Sequence, residues 1–246
     1  MAAAAPGLAP LPRACFVSGT DTEVGKTILA ASIIAALRAE GVAARGRKPV
    51  VTGVRTVAMD PPSDPDADLG ALADDELLAA AGGERPQEVS MLRFELAASP
   101  HLAAAEAGET IDGAAIVTAL RTAAAESDAL VVEGIGGLLV PLHERYDVRR
   151  LASELGWPVV IAARPGLGTI NHTLLTLEAA RGAGLDVRAV VLTPWPEEPE
   201  QIERSNRATI ERLGEVEVFG LPRLAVITRS RLAAAGMGLP CARWLG

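Results

Sequence analysis

The chain is 246 residues long, with 23 Lys and Arg against 31 Asp and Glu, and its formal net charge of −8 argues against a nucleic-acid-binding stripe. Hydrophobic residues make up 49% and charged residues 22%, which excludes a largely disordered chain, and no apolar run approaches the ~18 residues of a membrane helix. Aromatics are only 3% while alanine occurs 46 times, so the core must be Ala, Leu, Val and Ile in helices packed closely on a sheet, not an aromatic-rich sandwich or a base-stacking platform.

Met1 to Pro12 holds three prolines and lacks both the charged n-region and the long h-region of a signal peptide. Residues 1–13 are therefore expected to be a disordered Ala/Pro lead-in, and the protein is expected to be cytoplasmic. Ala14 to Ser18 is a short apolar run closed by a glycine-containing loop, and Thr27 to Ala39 reads as a helix. A second strand candidate lies within Val42 to Val51. The Pro/Asp-rich segment Met59 to Asp68 has no periodic apolar face and reads as an exposed loop. Helical patterns follow at Ile111 to Glu126, Asp147 to Leu155, Thr169 to Ala183 and Pro199 to Leu213. Between them stand strands at Ala129 to Val132, Pro158 to Ala163 and Val187 to Leu192. These strands are continuously apolar rather than alternating, which indicates a sheet covered on both faces. The order predicts an α/β fold, a doubly wound, mainly parallel sheet with helices on both faces. The length suits one such domain, residues 14–246. Cys15 and Cys241 are far apart and show no metal-ligand spacing, so they read as structural thiols of a reducing compartment.

Between the first strand and the first helix lies Gly19-Thr20-Asp21-Thr22-Glu23-Val24-Gly25-Lys26-Thr27. A loop of small residues turns successive N–H groups inward to cradle phosphates, with Gly25 leaving room for close approach. Lys26 adds a point charge near the β/γ-phosphates, Thr27 offers a hydroxyl to Mg²⁺, and the helix N-terminus adds its dipole. The usual first glycine, five residues before Gly25, is replaced by Thr20, with Gly19 one residue further back. The strand-to-helix position of the motif predicts a nucleotide-binding sheet of the P-loop NTPase type. Glu133 ends the buried strand Ala129 to Val132, at the sheet edge where ligands bind, and can complete a Mg²⁺ shell begun by Thr27. The glycines after it let backbone approach a substrate. Lys48, in Lys48-Pro49-Val50-Val51-Thr52-Gly53, would reach the same edge.

Together these motifs resemble the dethiobiotin synthetase family from about Cys15 to Leu224. The strongest pieces are GTDTEVGKT at Gly19 to Thr27, KPVVTG at Lys48 to Gly53, SPH at Ser99 to His101, VEGIGGLLVPL at Val132 to Leu142 and GLGTINH at Gly166 to His172. The family shares the shifted glycine. The resemblance implies that 7,8-diaminononanoate reacts with CO₂ (or bicarbonate) to give a carbamate, which attacks the γ-phosphate of ATP. The second amine then displaces phosphate from the mixed carbamic-phosphoric anhydride. It implies Thr22, Lys26 and Lys48 as catalytic residues, and a Mg²⁺ held by Thr27, Glu133 and an aspartate opening the helix Asp74-Asp75-Glu76. Asp74 leaves the apolar positions best matched, and Asp75 is the alternative. Glu23, Val24, Gly25, Ile28, Gly134, Ile135 and Gly136 complete the implied phosphate and nucleotide contacts. Lys48, Thr52, Gly136 and Gly137 would hold the substrate. Its carboxylate would rest on Gly168, Thr169 and Asn171, at a helix N-terminus of the neighbouring subunit, so a homodimer is implied. Where many members carry a base-reading Asn, this chain has Thr193-Pro194. The base then falls to backbone groups near Pro222, Arg223 and Leu224.

No Asn-Lys-x-Asp motif of a GTPase occurs, and the signature lysine of partitioning ATPases, four residues before Gly25, is Asp21. Cobyrinate-type amide-forming ligases and accessory domains of acyltransferases remain the nearest enzymatic alternatives. A non-catalytic nucleotide-binding module would not need Glu133, Lys48 and Thr52. His101, His143 and His172 have no ligand spacing; His101 reads either as part of the substrate pocket or as a turn residue.

Overall fold

A computed structural model describes residues 13–246, so the expected lead-in lies outside the described residues except for Arg13. The elements in chain order are β1 (Ala14–Gly19), α1 (Lys26–Ala39), β2 (Ala44–Arg47), β3 (Val50–Thr52), α2 (Asp74–Gly82), α3 (Pro86–Val89), β4 (Leu92–Phe94), α4 (Pro100–Glu106) and α5 (Gly113–Ala125). They continue with β5 (Ala129–Glu133), β6 (Pro141–His143), β7 (Tyr146–Asp147), α6 (Val148–Leu155), β8 (Val159–Ala163), α7 (Thr169–Gly182), β9 (Val187–Trp195), α8 (Gln201–Gly214), β10 (Val218–Pro222) and α9 (Arg229–Met237). A 3₁₀ turn spans Cys241–Trp244. Six strands form one parallel sheet in the order β10-β9-β8-β1-β5-β2.

The continuous apolar strands divide their residues between two cores. Phe16, Leu130, Val132, Ile161 and Leu192 face the side covered by α5, α6 and α7. Their neighbours Cys15, Val131, Ala129, Ala162 and Ala189 face α1, α2 and α9. The second face is floored largely by small side chains, and α1 meets it with Ala30, Ala31, Ala35 and Ala36, all buried. Close approach of helix to sheet is what the alanine-rich, aromatic-poor composition serves. Cys15 and Cys241 are buried free thiols in this layer, both pushed up to about 12, first of all by burial.

One expectation needs correction, and two elements lie beyond those the sequence pattern marks. The strand within Val42 to Val51 is two strands, because Pro49 cannot donate to a ladder. β2 ends the main sheet, while β3 leaves it to pair in parallel with β4. A sixth strand of the sheet, β10, carries Gly220 and Pro222 and lacks a clean apolar run, so its pattern is weak. The segment after Leu224, where the family resemblance ends, is packed into the fold. α9 crosses α1 so closely that a Cβ at Gly236 would lie 2.1 Å from the Ser32 carbonyl oxygen, and Trp244 behind it is buried.

That segment also fixes the Pro/Asp loop, which has no regular structure. The Arg229 guanidinium donates to the carbonyls of Ala80, Asp64 and Pro62 at 2.8, 3.0 and 2.9 Å. Leu69 N–H donates to the Ile227 carbonyl at 2.7 Å, and Leu69 is fully buried. The loop is thereby clasped on its way to α2. Among the described residues, no helix is long and apolar enough to cross a membrane.

Candidate active site

β2, β5 and β1 lie side by side in the sheet, and their carboxyl ends deliver Lys48, Glu133 and the phosphate loop to one edge. The loop turns through Glu23 (φ 57°) and Gly25 (φ 84°) before α1 begins at Lys26. At Gly25 a side chain is barred twice. The φ is left-handed, and a Cβ would sit 2.7 Å from Thr193 Cγ2. Thr22, Glu23, Gly25, Lys26, Thr27 and Ile28 line a cleft of about 810 Å³. Lys26 is nearly buried, its Nζ donating to the Asp21 carbonyl at 2.7 Å. Burial, with Lys48 adding repulsion, lowers its pKa to about 8, so an anion delivered to the loop would relieve a real penalty.

The chain contains only two lysines, and both are here. Lys48, 2% exposed, places its ammonium 2.5 Å from Glu133 Oε1 and 2.6 Å from Asp74 Oδ2. Burial works against its charge, but the two carboxylates outweigh burial and hold the amine protonated above its ordinary range. For Asp74, burial would raise the carboxyl, yet Lys48 and the Thr27 hydroxyl bring it below its usual range. Thr27 Oγ1 donates to Glu133 Oε1 at 2.9 Å. Glu133 Oε2 is buried without a hydrogen-bond partner, and burial pushes this carboxyl upward against the pull of Lys48. Cation coordination at Oε2 would answer that deficit. One hydroxyl and two carboxylates are hard oxygen donors of the kind Mg²⁺ shares with phosphate. Among the described residues no group of three or more His, Cys, Asp and Glu suited to a metal occurs, so a softer metal has no set of its own.

Asp74 opens α2 and lines the cleft. Asp75 points into the protein, where it is fully buried, ion-paired with Arg93 and hydrogen-bonded by Ser90 Oγ at 2.6 Å. The same guanidinium reaches Glu76 Oε1 at 3.5 Å, and Glu76 accepts from the N–H groups of Met59 and Ala73 at 2.8 and 2.9 Å. Of the two aspartates the sequence leaves open, the geometry selects Asp74 as the cleft carboxylate and Asp75 as a fixture of α2. Asp75→Asn is accordingly expected to lower stability in urea unfolding by about 2 kcal/mol. Asp74→Asn is expected to leave the unfolding midpoint near that of the unsubstituted chain while weakening Mn²⁺ binding in a calorimetric titration.

A family model described as an AAA domain matches residues 13–231. The ATP-dependent dethiobiotin synthetase BioD of Anaeromyxobacter dehalogenans (strain 2CP-C) is 41% identical over 210 residues, covering 85% of this chain and 89% of the relative. BioD of Bacillus subtilis (strain 168) is 32% identical over 218 residues, covering 88% and 90%. The chain belongs to the dethiobiotin synthetase family. Dethiobiotin synthetases are ATP-using ligases that form C–N bonds, and a P-loop family of this kind works with a nucleotide and a divalent metal. The fold alone is shared more widely. Apo McdA from Cyanthece (TM-score 0.52, 11% identity, 94% of this chain and 92% of that one) and a ParA family ATPase from Chlorobium tepidum TLS (0.52, 12%, 93% and 92%) have the same parallel-sheet architecture.

The other residues singled out by resemblance to the dethiobiotin synthetases are distributed unevenly. Thr52, Ile135 and Gly136 line the cleft with Ser99 and Pro100, whereas His101 is exposed on α4 and does not. Gly136 (φ 60°) and Gly137 pack the second glycine loop on the first; a Cβ at Gly137 would come within 3.3 Å of the Gly19 carbonyl oxygen. Val24 is buried beneath the phosphate loop, and Gly134 lies against Phe16. Thr193, before a cis peptide bond to Pro194, is buried against Gly25. Neither it nor Pro194, Pro222, Arg223 or Leu224 lines the cleft, and neither do Gly168, Thr169 and Asn171. Thr169 turns its hydroxyl inward to Thr173 at 3.3 Å, while Asn171 is exposed at the start of α7. Sequence reasoning missed Leu69, Leu72 and Ile227, which form an apolar wall of the cleft. The one signal was a pair of leucines punctuating an otherwise polar loop.

Proposed function

We propose that the chain makes dethiobiotin from 7,8-diaminononanoate, CO₂ and MgATP, releasing ADP and phosphate, as one catalytic unit of residues 14–246 in the cytoplasm. The observation that carries this reading is the convergence of both lysines, Thr27, Asp74 and Glu133 on one cleft that also takes in Thr52 and Ser99. An amine of the substrate adds CO₂ and loses a proton to give the carbamate. A carbamate oxygen attacks the γ-phosphorus as ADP leaves. The second amine then attacks the carbamoyl carbon, expelling phosphate and closing the ring.

Lys26 and the N–H groups of Glu23 to Ile28 hold the transferring phosphoryl group, with Thr22 beside it. Thr27, Asp74 and Glu133 would hold Mg²⁺, which supplies charge neutralisation at the phosphate oxygens when bound. Lys48 and Thr52 orient the carbamate and the diamine, aided by the backbone of Gly134 to Gly137. Apolar walls at Val51, Ile135 and Val140 keep water from the anhydride. Thr193 braces the loop at Gly25, so backbone groups at Pro222 to Leu224 are left to hold the base. The start of α7, with Gly168 in a left-handed conformation and Leu167 92% exposed beside it, does not line its own cleft. That placement supports a homodimer in which Gly168, Thr169 and Asn171 receive the partner site's substrate carboxylate.

The test is ADP release from purified protein with and without diamine and CO₂. Release that requires both is expected, and release indifferent to either contradicts the proposal. Lys48→Ala is expected to suppress turnover by about a hundredfold while ATP affinity stays within about threefold. Loss of ATP affinity alone would reassign that lysine to the nucleotide.

A further inference from the structure

Lys48 has more to do than meet a carbamate. Its ammonium lies between Glu133 Oε1 and Asp74 Oδ2 at 2.5 and 2.6 Å, and these two carboxylates are the ones read above as metal ligands. It is nearly buried, and its backbone is pinned by the Lys48 N–H bond to the Val89 carbonyl at 3.0 Å, with Pro49 following. Lys26 makes no ion pair with these carboxylates, its Nζ being hydrogen-bonded to the Asp21 carbonyl. A divalent cation placed on Asp74 and Glu133 would meet a unit positive charge within ångströms, in a site of reduced dielectric. The two cations repel there more strongly than any hydrogen bond of Lys48 can offset.

We infer that Lys48 is an internal counter-ion to the Asp74–Glu133 pair which divalent metal displaces, so that metal binding hands the ammonium to the anionic substrate group in the same cleft. The inference rests on Thr27, Asp74 and Glu133 being the metal set. Before metal arrives, the ammonium neutralises two carboxylates that would otherwise repel each other. A cation entering at Glu133 Oε2, the oxygen that Lys48 leaves free, draws the charge of both carboxylates away from the ammonium, which turns into the cleft it already lines, where an oxyanion such as a carbamate is the group that satisfies it. Metal and anionic substrate therefore bind with positive coupling, and by linkage each tightens the other by the same factor.

Because the chain has only two lysines, full-length protein labelled with [¹⁵N]lysine yields just two Nζ resonances, which Lys26→Met assigns. Titration with Mg²⁺ alone is expected to move the Lys48 resonance and remove its protection from solvent exchange, while Lys26 keeps its protection through its bond to the Asp21 carbonyl. A Lys48 resonance that stays protected at saturating Mg²⁺ overturns the inference. In parallel, Lys48→Met is expected to bind Mn²⁺ about tenfold more tightly than the unsubstituted chain; equal or weaker binding overturns the inference. If Lys48→Met does not fold, the resonance titration of the unsubstituted chain decides alone. Asp74→Asn separates the two levels. Weakened Mn²⁺ binding in Asp74→Asn with an immobile Lys48 leaves the metal set standing and sinks the displacement, whereas undiminished binding removes the metal set and the displacement together.

Discussion

Lys26→Met is expected to lower kcat by about a thousandfold. Its ammonium is enclosed by the phosphate loop, bonded to the Asp21 carbonyl, and carries a burial penalty that an incoming phosphate would cancel. On the proposed function the stabilisation falls where charge develops on the transferring group, while the loop itself is shaped chiefly by Gly25 and by Thr193 beneath it. Steady-state rates at saturating ATP check this, with circular dichroism showing that the fold persists. Lys26→Arg is expected to fail nearly as badly, since a guanidinium does not fit a slot shaped for a compact point charge. A Met variant within tenfold of the unsubstituted rate would mean that the loop backbone carries the transferred charge by itself.

The largest stability effect is expected far from the chemistry. At Gly236 a Cβ would lie 2.1 Å from the Ser32 carbonyl oxygen and 2.8 Å from Ala36 Cβ, so neither helix has room to yield without parting. Gly236→Val should therefore cost at least about 3 kcal/mol in urea unfolding. For a chain of this size that corresponds to a fall of about 10 °C in Tm. If the variant melts where the unsubstituted chain does, α9 is not docked on α1 as described.

The phosphate loop and Glu133 were legible in the sequence because each is a local pattern: a glycine-lysine-threonine between strand and helix, and an acid ending a four-residue apolar run. Continuous apolar strands likewise announced a sheet buried on both faces. What was not legible depends on partners distant in the chain. The local pattern puts Asp74 only narrowly ahead of Asp75; Arg93 and Ser90, fifteen or more residues on, decide it. The division of the strand before Lys48 follows from Pro49 and from β4, some forty residues later. α9 escaped notice because Leu232 to Ala235 is an alanine-rich stretch of weak periodicity, whose burial arises from a glycine contact no hydropathy pattern records.

The clasp of Arg229 on the Pro/Asp loop bears on how this chain tolerates change. Loop and C-terminal segment are distant in sequence, yet two carbonyl bonds and the Leu69–Ile227 bond make them one piece of architecture ahead of Asp74. Among relatives, insertions or deletions in the one should therefore be inherited together with alterations in the other. A graft that imports either half alone would bring an ill-fitting hinge to the doorway of the cleft.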